Sequence, residues 1–172
     1  VDEWLVFPMY PQFSYATTGS IARWFDKHCA KSTCKKMQWI KSYPIHESFI
    51  QPFVQNIREF LEEKSFKEEE TVLLFSAHGV PESFVKKGDP YQKECKESFA
   101  KIAGHFPLAK SLLSYQSKFG RAKWIEPSTI SMCDSVKDWI EDKKQIVFIP
   151  LSFTSDHIET LFEIEDEYIK PL

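Results

Sequence analysis

His78 stands three residues beyond Phe75, the end of a continuous apolar run, with Ala77 before it and Gly79 after it. An imidazole there has an apolar floor, and the glycine lets a ligand come close to the backbone. Neutral imidazole accepts a proton at cellular pH or ligates a metal; its plainer use is to finish the end of a strand. Ser76 lies two residues away, but the chain lacks the Gly-x-Ser-x-Gly elbow of a serine hydrolase. Downstream, Glu159, Glu163 and Glu167 recur at i, i+4 and i+8, so a helix gathers them into one carboxylate row. Asp156, with Glu159 three residues on, reads as an N-cap with its capping box, and first-turn acids suit the helix dipole. That accounts for Glu159 but not for the row. Like charges at this spacing repel by a few tenths of a kcal/mol per pair. No Lys or Arg stands between Asp156 and Lys170 to relieve them, which suggests a path for cations.

Three weaker signals accompany these. Trp124, inside the loop Gly120–Pro127, either covers a flat ligand or folds onto the domain edge. Thr17-Thr18-Gly19-Ser20 precedes a helix and could cradle a phosphate. Cys29 and Cys34, four residues between them, could be one half of a metal clip, but no second pair completes it.

The elements that must position these residues follow from hydrophobic period. Short apolar runs at Trp4–Phe7, Met37–Ile40, Thr71–Phe75, Ser111–Tyr115 and Ile146–Leu151 read as strands. Between them the spacing predicts helices from the Thr17–Ser20 element to about Ala30, over His46–Glu63, over Pro90–Gly104, over Thr129–Asp142, and from Asp156 onward. Pro52 should start or kink the second of these. Alternation of this kind predicts an α/β fold: one open, mostly parallel sheet of about four to five strands with helices on both faces. Ligands of such sheets bind beyond the carboxyl ends of the strands. Function is therefore expected in the loops Ser14–Ser20, Ser76–Pro81 and Ser152–Glu159.

With 172 residues the chain reads as one domain, large enough to bury a core. A net charge of −3 argues against a non-specific nucleic-acid binder, and 42% apolar residues exclude disorder. No apolar run approaches the ~18–20 residues of a membrane-spanning helix. The start, Val1-Asp2-Glu3-Trp4, has neither initiator Met nor signal peptide, as expected of a piece of a longer protein. Four scattered cysteines suit reduced thiols in a cytosolic protein better than a disulfide framework.

Taken in order, four segments resemble ferrochelatase, the family that inserts ferrous iron into a porphyrin to make haem. They are Tyr10-Pro-Gln-Phe-Ser-Tyr-Ala-Thr-Thr-Gly-Ser20; Ser76-Ala-His-Gly-Val-Pro81 with Gly88-Asp-Pro-Tyr91; Tyr115-Gln-Ser-Lys118 running on to Trp124; and Pro150-Leu-Ser-Phe-Thr-Ser-Asp-His-Ile-Glu-Thr-Leu161. The resemblance implies that residues 1–172 are the C-terminal α/β lobe of a two-lobed enzyme, without its N-terminal lobe and extreme C-terminal tail. It implies His78 and Glu159 as the catalytic and metal-contacting pair on opposite sides of the pocket. Glu163 and Glu167 become a metal or proton relay, and Trp124, Ser76 and Tyr10 become porphyrin-binding. The implied partners are a porphyrin and Fe²⁺ as substrates, with no nucleic acid, and with peripheral membrane contact and oligomeric state left open. Some relatives hold an iron–sulfur cluster with a cysteine just before the Thr-Thr-Gly-Ser element. Here that place is Tyr15, and no cysteine follows Cys133, so no cluster is expected. Two other readings stand beside this one: a chelatase for another tetrapyrrole or metal, and a non-catalytic ligand-binding α/β module.

Overall fold

The structure, a computed structural model, describes residues 2–171. Five strands form where hydrophobic period places them, and every pairing is parallel. They divide into two sheets, however, rather than one. Trp4–Val6 (β1) pairs only with Met37–Trp39 (β2). Thr71–His78 (β3) is the centre of a second sheet, with Lys110–Gln116 (β4) on one side and Gln145–Pro150 (β5) on the other. Three-residue strands offer few ladder bonds, and Trp4 and Leu5 keep their side chains exposed. β3 is the opposite case, buried from Thr71 to Ala77.

Helices Thr18–His28 (α1) and Lys31–Cys34 (α2) join β1 to β2. Glu47–Glu63 (α3) is capped by the His46 imidazole, whose Nδ1 accepts from the Ser48 amide at 3.2 Å. α3 therefore begins well before Pro52, which sits inside it and only forgoes a bond to the Ser48 carbonyl. Glu82–Lys86 (α4) and Tyr91–Ala103 (α5) follow β3. Ile50, Val54, Ile57 and Leu61 of α3 and Cys95 and Ile102 of α5 share one core with Leu73, Phe75 and Ala77 of β3. Each of the Val, Leu, Ile and Phe side chains so removed from water contributes about 1.5–3 kcal/mol. Cys95 is completely buried there, and burial pushes its thiol far above the usual range.

Because side chains alternate along a strand, Ser76 and His78 point away from that core, to the sheet's other face. Thr129–Asp134 (α6), Val136–Trp139 (α7) and a final helix, Glu159–Ile169, follow β4 and β5, and α6 and the final helix pack on each other. The expected continuous helix over Thr129–Asp142 is broken at Ser135, which leaves helical geometry and whose Oγ bonds back to the Ser131 carbonyl at 2.8 Å. The final helix starts at Glu159 rather than Asp156. Its N-cap is Ile158 with no side-chain cap, so the expected capping box does not form. It is wound with i→i+5 bonds, as from the Lys170 amide to the Glu165 carbonyl at 3.0 Å. No helix among the described residues is long and apolar enough to cross a membrane.

Candidate active site at the carboxyl end of the central sheet

The three expected loops do assemble, and hydrogen bonds between them say how. His78 closes β3 half-buried, with its backbone held from two sides. Its amide donates to Ser152 Oγ at 2.8 Å, and its carbonyl accepts from the Tyr91 hydroxyl at 2.8 Å. Burial pushes the Tyr91 phenol well above its ordinary value, so the hydroxyl stays protonated and remains a donor. The loop after β5 is in turn tied to the amino-terminal segment, Thr154 Oγ1 donating to the Met9 carbonyl at 3.3 Å.

The imidazole has a defined tautomer. Nδ1 lies 2.7 Å from the Gly79 carbonyl, which can only accept, so in the neutral ring Nδ1 carries the hydrogen and Nε2 the lone pair. Among the described residues no group bonds Nε2. The ring's neighbour is Phe153, with centroids 6.5 Å apart. Gly79 is required where it stands. A Cβ there would lie 2.8 Å from the Gln116 carbonyl oxygen and 3.0 Å from the Trp124 ring.

Beside His78 in register on β4 is Gln116, 1% exposed. Its Oε1 accepts from Ser76 Oγ at 2.8 Å, while Nε2 donates to the Glu159 carbonyl at 2.9 Å and to Glu163 Oε2 at 3.1 Å. Ser76 also bonds Thr129 Oγ1 at 2.8 Å, and Thr129 bonds Ser114 Oγ at 2.8 Å. A buried polar network thus runs from beneath His78 to the first turn of the final helix. Networks of this kind hold a geometry firmly because every member left unpaired would cost desolvation.

The acidic row is not uniform. Glu163 accepts from the Ser117 amide and hydroxyl, both at 2.6 Å, from Gln116, and from the Tyr168 hydroxyl. Burial and the Glu163 carboxylate together push the Tyr168 phenol above its usual range. The carboxylates of Glu159 and Glu167 receive no hydrogen bond among the described residues; Glu159 is half-buried and Glu167 exposed. Glu163 is an anchor between two unengaged acids.

The structure places the three residues expected at the porphyrin in different surroundings. Ser76 is fully buried and committed to Gln116 and Thr129, so it supports the site from below. Trp124 is 6% exposed, its Nε1 donating to the Phe119 carbonyl at 3.0 Å and its ring lying against Gly79. The loop folds onto the histidine loop because Trp124 bridges to Pro81, the Glu82 amide bonds the Lys123 carbonyl, and the Ile125 amide bonds the Val80 carbonyl. Phe119, its ring tilted at 58° against Trp124 with centroids 5.1 Å apart, is the exposed aromatic of this loop. Tyr10 is exposed, one residue from the Met9 tie.

Two cavities flank this region. One of about 350 Å³ lies outside Trp124, beside Glu82 and Gln92. A larger, apolar one of about 1300 Å³ runs along β5 between α3 and the final helix. His78 and Glu159 line neither of these two; Gln116 links them, as the register partner of His78 and a donor to the Glu159 carbonyl.

Asp89 and Glu94 were not singled out by type or spacing. Asp89, buried, accepts from Ser14 Oγ, the Tyr15 amide and the Tyr91 amide at 2.8–3.0 Å. Glu94 accepts from the Phe13 amide at 2.7 Å and from Ser42 Oγ at 3.2 Å. These two carboxylates clasp the Phe13–Tyr15 segment to the start of α5, whose Tyr91 in turn holds His78. In the Thr17–Ser20 element Ser20 Oγ returns to the Ala16 and Thr17 carbonyls, while the buried Thr18 Oγ1 has no partner among the described residues. Cys29 and Cys34 are free, with the Cys34 thiol 3.6 Å from the Phe25 carbonyl.

This arrangement can be set beside known proteins. The family model described as Ferrochelatase matches residues 1–171. The chain belongs to the ferrochelatase family. Among curated relatives, the ferrochelatase of Chlamydia abortus is 44% identical over 162 residues, 94% of this chain and 49% of the relative. Those of Chlamydia felis and Chlamydia pneumoniae are 42% and 40% identical, each over 94% of this chain and 49% and 48% of their own length. The chain therefore spans about half the length of the ferrochelatases it matches.

Proposed function

We propose that residues 1–172 are the C-terminal α/β lobe of a two-lobed ferrochelatase, and that the full-length protein inserts Fe²⁺ into a porphyrin, protoporphyrin IX or coproporphyrin III, to form haem. The observation that carries this is the His78 imidazole, whose Nδ1–H is spent on Gly79 so that the Nε2 lone pair remains for a proton or a metal. Insertion strips water from Fe²⁺ and removes both inner pyrrole protons. His78 accepts a proton or ligates the ion in passing, and the unengaged Glu159 carboxylate acts from the helix side. Fe²⁺ lies low in the divalent affinity order, which favours ligands that hand the ion on. Glu167, with Glu163 anchored before it, continues the acidic path outward. Tyr10 contributes to the porphyrin wall, while Trp124 and Ser76 act by supporting the histidine loop. No resident cofactor or iron–sulfur cluster is required. Four free cysteines support a reducing, cytoplasmic setting.

The test is metal insertion by the full-length protein, followed by visible absorbance. His78→Ala is expected to abolish insertion while porphyrin binding largely survives; retained turnover would remove His78 from the mechanism. Running Fe²⁺ and Co²⁺ against several porphyrins separates a ferrochelatase from a chelatase for another metal or tetrapyrrole. The isolated 172-residue lobe is expected to form no haem, because the opposing wall of the pocket is supplied from elsewhere in the protein.

A further inference from the structure

We infer that Gln116 is a positioning residue for metal insertion, its carboxamide setting how far the helix bearing Glu159 stands from the strand bearing His78. The inference rests on the function proposed above and adds the group that holds the two reacting side chains in relation. His78 and Glu159 make no hydrogen bond to each other among the described residues, so their spacing is set by something between them. Gln116 is what lies between. It is the register partner of His78 on β4, and its side chain reaches the first turn of the final helix.

The amide has one permitted orientation. A backbone carbonyl and a carboxylate, those of Glu159 and Glu163, can only accept, so the NH₂ end must face them. Oε1 then faces Ser76, whose hydroxyl is pinned in turn by Thr129. Both N–H groups and the oxygen are engaged, and the residue is 1% exposed, so water does not substitute for any of the three partners. The backbone of the same residue holds the other end: the Gly79 amide donates to the Gln116 carbonyl at 2.8 Å, and the two main chains lie so close that a Cβ at Gly79 would find no room. One residue is thus bonded to the neighbour of His78 through its main chain and to Glu159 through its side chain. A shorter amide would not span the gap, and an apolar side chain of equal length would fill it without fixing it.

The experiment compares full-length wild type with Gln116→Met and Gln116→Glu. Gln116→Met keeps the length and loses all three bonds; Gln116→Glu keeps the length but sets a carboxylate against the Glu163 carboxylate and the Glu159 carbonyl. Insertion is expected to fall in the order wild type, Met, Glu, with kcat down about tenfold or more for Gln116→Met and KM for porphyrin within about twofold. A role in filling space alone predicts that Gln116→Met matches wild type, and that outcome overturns the inference, as does a loss confined to KM. Amide hydrogen exchange supplies a readout independent of turnover. Exchange in the first turn of the final helix should quicken about tenfold in Gln116→Met while the amides of β3 stay protected. Unchanged exchange there overturns the positioning role even in an inactive protein. A wild type that inserts no metal, with exchange altered as expected, would overturn the proposed function and leave the anchoring established.

Discussion

The central three-stranded sheet and the amino-terminal unit built on β1 and β2 use the same parallel pairing to different ends. β3 is buried along its length, and at its carboxyl end almost every polar group near His78 has a partner supplied by the chain itself. β1 leaves Leu5 69% exposed, and Trp4, Phe7, Met9 and Trp24 are exposed nearby. The amino-terminal unit is joined to the centre chiefly through acceptors on and just before α5, Asp89 and Glu94, rather than through a shared core. One region is stabilised by burial and the other is tethered by charge-assisted bonds. His78 belongs to the first and is linked to the second along two routes, through Asp89 and Tyr91 and through the Ser152–Thr154 loop tied to Met9.

Four measurements test that contrast. Leu73→Ala should cost about 2–5 kcal/mol of global stability by denaturant unfolding, because it opens a cavity in the shared core. A cost below 1 kcal/mol would mean that β3 is not the stabilising element. Asp89→Ala strands three donors and should cost about 1.5–3 kcal/mol, seen first as protease cleavage around Phe13–Tyr15 before global unfolding. Loss of cooperativity throughout the chain would show the tether to be part of the core instead. Tyr91, Tyr115 and Tyr168 all have phenols raised by burial, and the sign follows from linkage. Their folded pKa values exceed the unfolded one, so their contribution is full below about pH 10 and is lost as pH rises beyond it, at about 1.4 kcal/mol per pH unit per tyrosine. Alkaline unfolding curves check this, and a flat stability above that pH would refute it. Leu5→Ala, on an exposed face, should shift stability by less than about 0.5 kcal/mol; a larger loss would show that β1 is buried against something.

The strands and the fold class were legible because continuous apolar runs and helical stripes are local signals. Which strands share a sheet was not, since pairing is decided by contacts far apart in the chain. The acidic row was readable as spacing alone. Nothing local distinguishes Glu163 from Glu159, because the donors that anchor Glu163 at Gln116 and Ser117 arrive from more than forty residues upstream. Trp124 in a loop looks free to cover a ligand until Pro81 and Gly79 are seen to close on it. Gln116 reads in sequence as an ordinary polar residue finishing a strand; only its three partners reveal its use. Asp89 likewise needs the fold, since a Gly-Asp-Pro turn signals a bend and not a clasp.

The burial of Cys95 offers a practical handle. Cys29, Cys34 and Cys133 are only partly covered, whereas the Cys95 sulfur has no solvent contact and resists becoming a thiolate. Alkylating reagents will therefore mark Cys29 and Cys34 on the native chain, mark Cys133 more slowly because burial pushes its thiol up to about 11, and reach Cys95 only when the layer between the central sheet and α5 comes apart. Pulsed thiol labelling read by mass spectrometry turns that residue into a clock for opening of the interior, with no probe to install.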